Sequence, residues 1–219
     1  MTDGKSFDLK RHLPSASFVV VVLVILAGFA GAFIYTGVYN IGADAPHSSA
    51  VYMAMRELRE NAIAHHSRNI PVPADLSDPK RIEAGAGLYQ EMCTGCHLGP
   101  GVEPSELSQG LYPPAPLLAK PSDRSPAAQF WIIKHGVKLS AMPAWGKTHN
   151  DQLIWDMVAF IRQLPKMTPQ QYQAALASAP EDHDEMMKDM SGGSSAADEH
   201  ETASKPHSHA EGHTHQHSH

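Results

Sequence analysis

Cysteine, aromatic residues and basic charge are all scarce in this sequence, and the shortages argue against several classes of protein. Only 2 of the 219 residues are cysteine, so a fold held by several disulfide bonds is excluded. Lys and Arg total 17 against 23 Asp and Glu, which leaves no basic stripe to neutralise phosphates and argues against nucleic-acid binding. No stretch alternates polar and apolar residues convincingly with a period of two, and no internal repeat is visible. The soluble part is therefore expected to be helical.

The net charge of −6 is concentrated at one end of the chain. Residues 166–219 carry three basic and nine acidic residues, which account for the whole of it. Residues 39–165 carry eleven basic and twelve acidic residues and are nearly neutral. Electrostatic steering therefore gives little indication of what docks on this central part.

A long apolar run lies near the N-terminus. Residues 18–38 form a stretch of 21 residues without a charged side chain, which is enough for a helix to cross a hydrocarbon layer of about 30 Å. Three basic residues precede this run, and the first charge after it is Asp44. The basic residues are Lys5, Lys10 and Arg11. The positive-inside rule therefore predicts that residues 1–17 are cytoplasmic and that the rest of the chain lies outside the cytoplasmic membrane.

A cleaved signal peptide is the alternative interpretation of the same run. Ala30, Gly31 and Ala32 have the small-x-small form of a cleavage site. The apolar run continues for six residues beyond Ala32, which favours an uncleaved anchor. In both cases the soluble part is exported.

The exported part contains four predicted helices. Val51, Met55, Leu58 and Ala62 recur at helical spacing and predict an amphipathic helix that packs on the next domain. A second helix is expected from Pro79, capped by Asp78, up to the cysteines. A short one covers residues 129–135, and a last one with a wide apolar face begins after residue 150 and stops at Pro165. The Pro- and Gly-rich residues 98–126 predict a long loop that wraps around something.

Cys93, Cys96 and His97 form a C-x-x-C-H motif, the signature of covalent haem attachment. Two thiols on one helical turn can each form a thioether bond with a vinyl group of one porphyrin, and the histidine that follows becomes an axial iron ligand. A structural zinc site usually needs four protein ligands, often two cysteine pairs, and a thioredoxin-like redox pair needs a β-α-β setting. This sequence offers neither of them.

Met142 is the predicted second axial ligand. It lies 45 residues after His97 in a loop that Pro143 stiffens, so the chain has room to pass around a haem and return on its other face. Filling both axial positions leaves no site for a substrate, so the expected protein is an electron carrier and not an enzyme. Histidine ligation in place of methionine would lower the reduction potential. The alternative histidines are His47, His65, His66, His135 and His149.

These residues resemble class I cytochrome c, and residues 18–165 are similar to membrane-anchored bacterial monohaem c-type cytochromes. The resemblance implies an all-α fold in which Gly85 and Tyr89 meet Trp155 and its neighbours where two helices cross. It also implies that the carbonyl of Pro113 or Pro114 accepts the second N–H of His97. The helix before Pro71 and the residues after Pro165 depart from the family pattern.

The expected domains are a cytoplasmic segment (1–17), an anchor (18–38), a linker with an amphipathic helix (39–77), a cytochrome c domain (78–165) and an acidic, His-rich disordered tail (166–219). Residues 191–219 contain seven histidines among few apolar residues. Alternating imidazoles can bind Cu(II), Ni(II) or Zn(II), and their interruption by other residues is unlike an expression tag. The candidate tail ligands are His207, His209, His213, His215, His217 and His219.

The first functional hypothesis is a carrier with one covalent haem c, which passes electrons from a quinol-oxidising complex or a dehydrogenase to a terminal oxidase. The second is a fixed haem subunit of a larger membrane oxidoreductase, docked through Val51, Met55 and Leu58. The third is metal handling, in which the histidine tail buffers or delivers copper.

Overall fold

The computed structural model describes residues 15–179, and within this range the chain is all-α, as the sequence predicts. The elements in chain order are α1 (Ala16–Thr36), α2 (Ser49–Ser67), α3 (Pro79–Met92), α4 (Thr94–His97), α5 (Glu106–Gln109), α6 (Pro126–His135), α7 (Asp151–Ile161) and α8 (Pro169–Ser178). Two 3₁₀ turns, Trp145–Lys147 and Leu164–Lys166, flank α7.

Helix α1 contains most of the predicted apolar run. It spans 21 residues with a mean hydropathy of 2.8 over its most apolar window, and none of that window is buried within the protein. Ser15 caps its start by accepting from the Phe18 N–H, and Gly37 ends it in the left-handed region at a φ of 61°. By length and composition α1 can cross a membrane. The basic residues that predict its orientation lie outside the described residues.

The crossing of α3 and α7 forms the centre of the soluble domain. A Cβ atom on Gly85 would collide with the backbone carbonyl of Asp156 and lie 2.9 Å from the Cβ of Phe160, so only glycine allows this approach. The Tyr89 ring lies 5.4 Å from the Phe160 ring. The predicted crossing is therefore present, with Asp156 and Phe160 as the contacts.

The predicted apolar stripe of α2 packs on the rest of the domain only in part. Val51 and Leu58 are exposed, at 36% and 64%, whereas Met55 and Ala62 are half-buried. The most buried residues, where α2 packs on α6, are Ile63 and Ser67, at 3% and 5% exposed. The prediction that Val51, Met55, Leu58 and Ala62 pack on the next domain is therefore wrong for Val51 and Leu58.

Helix α8 corrects the predicted domain boundary. The sequence analysis ended the domain at Pro165 and assigned residues 166–219 to a disordered tail, but Pro169–Ser178 form a helix that packs on α3. Tyr172 on this helix is fully buried. The composition of residues 166–219 as a whole is polar and acidic, and it concealed this one short helix with a buried tyrosine and a capping box.

Candidate haem-attachment site

Both cysteines lie on a single tight turn at the end of α3. The N–H of Cys96 and the N–H of His97 donate to the Cys93 carbonyl at 3.1 and 2.8 Å, so α4 continues directly from Cys93. Both thiols are free. Burial, with a smaller contribution from Cys96, raises the pKa of the Cys93 thiol to about 12, so this side chain is a neutral thiol. Among the described residues no group of three or more His, Cys, Asp or Glu side chains could hold a metal ion, so nothing there completes a zinc site around the pair.

His97 has one ring nitrogen fixed by the backbone. Its Nδ1 lies 2.8 Å from the Pro116 carbonyl, and because a carbonyl can only accept, Nδ1 carries the proton and Nε2 keeps its lone pair. Burial lowers the pKa of His97, and the hydrogen bond to Pro116 opposes that shift only in part. The ring is thus held in the neutral form that a metal ligand requires.

The prediction that Pro113 or Pro114 holds His97 is wrong in the residue and right in the kind of contact. The loop does present a proline carbonyl to Nδ1, and the acceptor is Pro116. The sequence does not distinguish the backbone carbonyls of residues 113–116, because each is an equally good acceptor. The path of the loop decides that Pro116 is the one that meets His97, 19 residues before it.

The Tyr89 hydroxyl holds the same turn at its C-terminal end. It donates at 2.5 Å to the carbonyl of Leu98, the residue that follows His97. Leu98 has a positive φ of 57°, which is uncommon for a residue other than glycine, and it is buried. Burial raises the pKa of Tyr89 far above its ordinary value, so its hydroxyl stays protonated and remains a donor.

The loop that carries Met142 is tight and bonded to itself. The Val137 N–H donates to the Met142 carbonyl at 3.1 Å, and the Met142 N–H donates to the Ser140 hydroxyl at 3.2 Å. Gly136 ends α6 at a φ of 65°, and a Cβ atom there would lie 2.7 Å from the Met142 carbonyl oxygen. Met142 itself is half-buried. Its position in a defined loop is as expected, and ligation by its sulfur stays a prediction.

The alternative histidines take part in other contacts. His47 Nδ1 pairs with the Tyr39 hydroxyl at 2.7 Å, and His66 stacks on Trp131 with ring centroids 5.5 Å apart. His149 is 7% exposed and its Nδ1 lies 2.8 Å from the Thr148 hydroxyl. The remaining two, His65 and His135, lie beside His66 and Trp131 respectively. The six candidate tail histidines lie outside the described residues.

The donor set at this turn provides the test of whether a haem fits. Two free thiols lie three residues apart, and the His97 ring has its Nδ1 on the Pro116 carbonyl, which leaves Nε2 to bind a metal. The Leu107 side chain, which is 58% exposed, is 3.9 Å from where a Cβ on Gly95 would lie, between the two cysteines. The residues present therefore fit a haem.

Within the described residues, the all-helical domain carries on one turn two free thiols and a backbone-oriented histidine, which is the arrangement that a covalently attached haem requires. Residues 80–161 match the family model described as cytochrome C oxidase, cbb3-type, subunit III. No curated protein and no solved structure matches the chain. The match supports haem-based electron transfer and implies covalently bound haem c, as the motif predicts.

Sequence reasoning missed three parts of the site. These are the Pro116 acceptor, the buried pair between Arg81 and Asp156, and Tyr172 on α8. For Tyr172 no signal was present in the sequence, because glycines on either side of Pro100 ordinarily mark a turn. The close approach of Tyr172 to Gly99 is seen only in the structure.

Proposed function

We propose that this chain is a single-electron carrier that holds one haem c through Cys93, Cys96, His97 and Met142 at the outer face of the cytoplasmic membrane. The observation that carries the proposal is the oriented His97 ring on the turn of the two free thiols. The haem supplies reversible one-electron chemistry at its iron.

Each residue of the site has a separate task. The Cys93 and Cys96 thiols would hold the group through two thioether bonds, each formed by adding one S–H across a vinyl group, with sulfur on one carbon and hydrogen on the other. The Pro116 carbonyl orients His97 and increases its basicity as a ligand. The Ser140 and Gly136 contacts fix the loop that presents the Met142 sulfur.

The membrane anchor supports a topology in which the domain is exported. Helix α1 has the length of a span, and the basic residues before it favour a cytoplasmic N-terminus. Confinement to the membrane raises the effective concentration of the carrier near partners in the same bilayer. We propose a quinol-oxidising complex or a periplasmic dehydrogenase as donor and a terminal oxidase as acceptor.

Optical spectra test the ligand set. Oxidised wild-type protein, matured with haem and extracted with its anchor, is expected to have a weak near-infrared band from sulfur bound to ferric iron. Met142→Ala should lose this band, and Met53→Ala, which removes a methionine that is 63% exposed on α2, should keep it. Persistence of the band in Met142→Ala would contradict Met142 as the ligand.

A fixed haem subunit of an oxidase is the second candidate function. The matched family is named for an oxidase subunit, and α2 leaves Val51, Tyr52 and Leu58 exposed for a partner. Purification in mild detergent separates the two candidates. A cytochrome that elutes alone supports the carrier, and one that elutes with a stoichiometric oxidase supports the subunit.

A further inference from the structure

Helix α8 lies beyond the segment that matches the cytochrome family model, yet it is capped at its start and anchored by a buried tyrosine. The family match ends at residue 161, and α8 begins at Pro169. Thr168 and Gln171 form a reciprocal capping box, with the Thr168 hydroxyl accepting from the Gln171 N–H and the Gln171 side chain accepting from the Thr168 N–H. Tyr172 is the buried residue of this helix.

Two glycines just after the haem-attachment motif, Gly99 and Gly101, allow α8 to pack closely against the backbone there. A Cβ atom on Gly99 would collide with the ring of Tyr172. A Cβ on Gly101 would lie 2.7 Å from the Cβ of Pro169, and Gly101 also has a φ of 75°. Both close approaches need glycine, so the backbone that follows His97 and the helix α8 fit each other.

Two consecutive hydrogen bonds link α8 to the turn and the turn to α3. The Thr94 hydroxyl donates to the Tyr89 carbonyl at 3.2 Å, which uses its only hydrogen. The Tyr172 hydroxyl lies 3.1 Å from the Thr94 oxygen and must therefore be the donor of that bond. Thr94 stands between the two cysteines, so Tyr172 contacts both the turn itself and the Gly99 backbone that follows His97.

The two tyrosines together hold both ends of the turn. Tyr172 fixes Thr94 ahead of His97, and Tyr89 fixes the Leu98 carbonyl behind it. The Tyr89 and Tyr172 rings meet edge to face with their centroids 6.5 Å apart, so a shift of one ring disturbs the other. The His97 ring depends on this turn for its direction toward the Pro116 carbonyl.

We propose that Tyr172 is a positioning residue for the haem: through Thr94 it fixes the attachment turn and thereby the axial ligand His97. This rests on the proposed function, in which His97 binds the iron. A looser turn lengthens the bond from His97 Nδ1 to Pro116, which makes the imidazole a weaker electron donor to the iron. The ferric state then loses stabilisation, so the midpoint potential rises.

Tyr172→Phe tests the proposal because it keeps the buried ring and removes only the hydroxyl. In the full-length haem-bearing protein we expect a higher midpoint potential. We also expect amide hydrogen exchange in residues 94–98 to become about fivefold faster, the factor that the loss of one intramolecular hydrogen bond gives. Thr94→Val should shift both readouts in the same direction, and the double variant should go no further than Thr94→Val alone.

Tyr52→Phe is the matched control, because it removes the same hydroxyl from a ring that is 44% exposed on α2. An unchanged potential and unchanged exchange in Tyr172→Phe would overturn the proposal and leave Tyr172 with a purely packing role. Additive shifts in the double variant would overturn it too, since Tyr172 would then act by a route other than Thr94. Wild-type protein that matures without covalent haem would instead overturn the proposed function, and haem content is measured first to separate these cases.

Discussion

Arg81 allows a carboxylate to lie in the core between α3 and α7. Its guanidinium donates to Asp156 at 2.5 Å and to Asp75 at 2.8 Å, and the Asp156 side chain is only 5% exposed. Burial raises the pKa of Asp156 from 3.8 to about 6, with Arg81 opposing the shift. The folded protein therefore binds this proton more tightly than the unfolded chain does. Ionisation of Asp156 consequently costs stability as the pH rises through the interval between those two values.

Arg81→Gln should leave that carboxylate buried without its cation. We expect the free energy of unfolding to fall by about 3 kcal/mol at pH 8. The fall should be smaller at about pH 5, where Asp156 can take up a proton and lose its charge. Denaturant unfolding at both pH values measures the difference, with Lys80→Gln as a control that removes an exposed cation from the same helix. Equal losses at the two pH values would show that Asp156 does not titrate in this interval.

Individual residues also mark where sequence reasoning succeeds. Gly85 indicated a close helix crossing because a glycine inside a helix is costly unless something needs the space, and the Asp156 carbonyl does. The pairing of Arg81 with Asp156 could not be predicted in the same way. These residues are 75 positions apart, and several other charged residues in the domain were equally good partners by type alone.

At the scale of elements, α2 shows the limit of periodicity. The pattern correctly predicted a helix, but it could not say which side is covered, because Ile63 and Ser67 pack on α6 while Leu58 stays exposed. Glu60 of α2 also forms a salt bridge to Arg124, whose guanidinium lies 2.8 Å from the Glu60 carboxylate. Burial raises the pKa of Glu60, but Arg124 and Arg59 outweigh that effect and the net shift is downward. The packing face of a helix is decided by its neighbours, which a single sequence does not reveal.

The segment between α1 and α2 is a second element whose behaviour can be tested. The His47 N–H donates to the Tyr112 hydroxyl at 2.9 Å, and the Tyr39 hydroxyl pairs with His47 Nδ1 at 2.7 Å. These contacts hold the linker on the loop that leads to Pro116, so it is not a free tether. Tyr112→Phe removes the acceptor of the backbone bond and should release the linker.

Limited proteolysis of residues 40–47 in the membrane-bound protein measures this release. We expect cleavage to become about fivefold faster in Tyr112→Phe, in proportion to the population of the open linker. Tyr52→Phe, on the neighbouring helix, should leave the rate unchanged. An unaltered rate in Tyr112→Phe would mean that the linker is already released in the wild-type protein.

At the scale of the whole molecule, the contact between His47 and Tyr112 affects how far the domain can move to meet an electron donor or acceptor. A free tether of this length would let the domain search for donor and acceptor in turn, whereas a linker fixed at Tyr112 limits the range of that search. The nearly neutral charge of residues 39–165 gives a partner little long-range attraction, so nearness within the membrane has to supply the encounter. Both arguments agree with the proposal that donor and acceptor lie in the same bilayer as helix α1.

The histidine-rich segment after residue 190 remains a proposal for metal binding, and it makes a separate prediction. Full-length protein should bind Cu(II) through its alternating imidazoles, and a variant that ends at residue 190 should lose these sites. Isothermal titration calorimetry at neutral pH measures the loss. The matched control replaces the six candidate histidines by Asn at constant length and acidity, and it should lose the same sites. Retained copper binding in this control would assign the metal to the nine acidic residues after Pro165 or to another part of the chain, and the metal-handling hypothesis for the histidines would then be wrong.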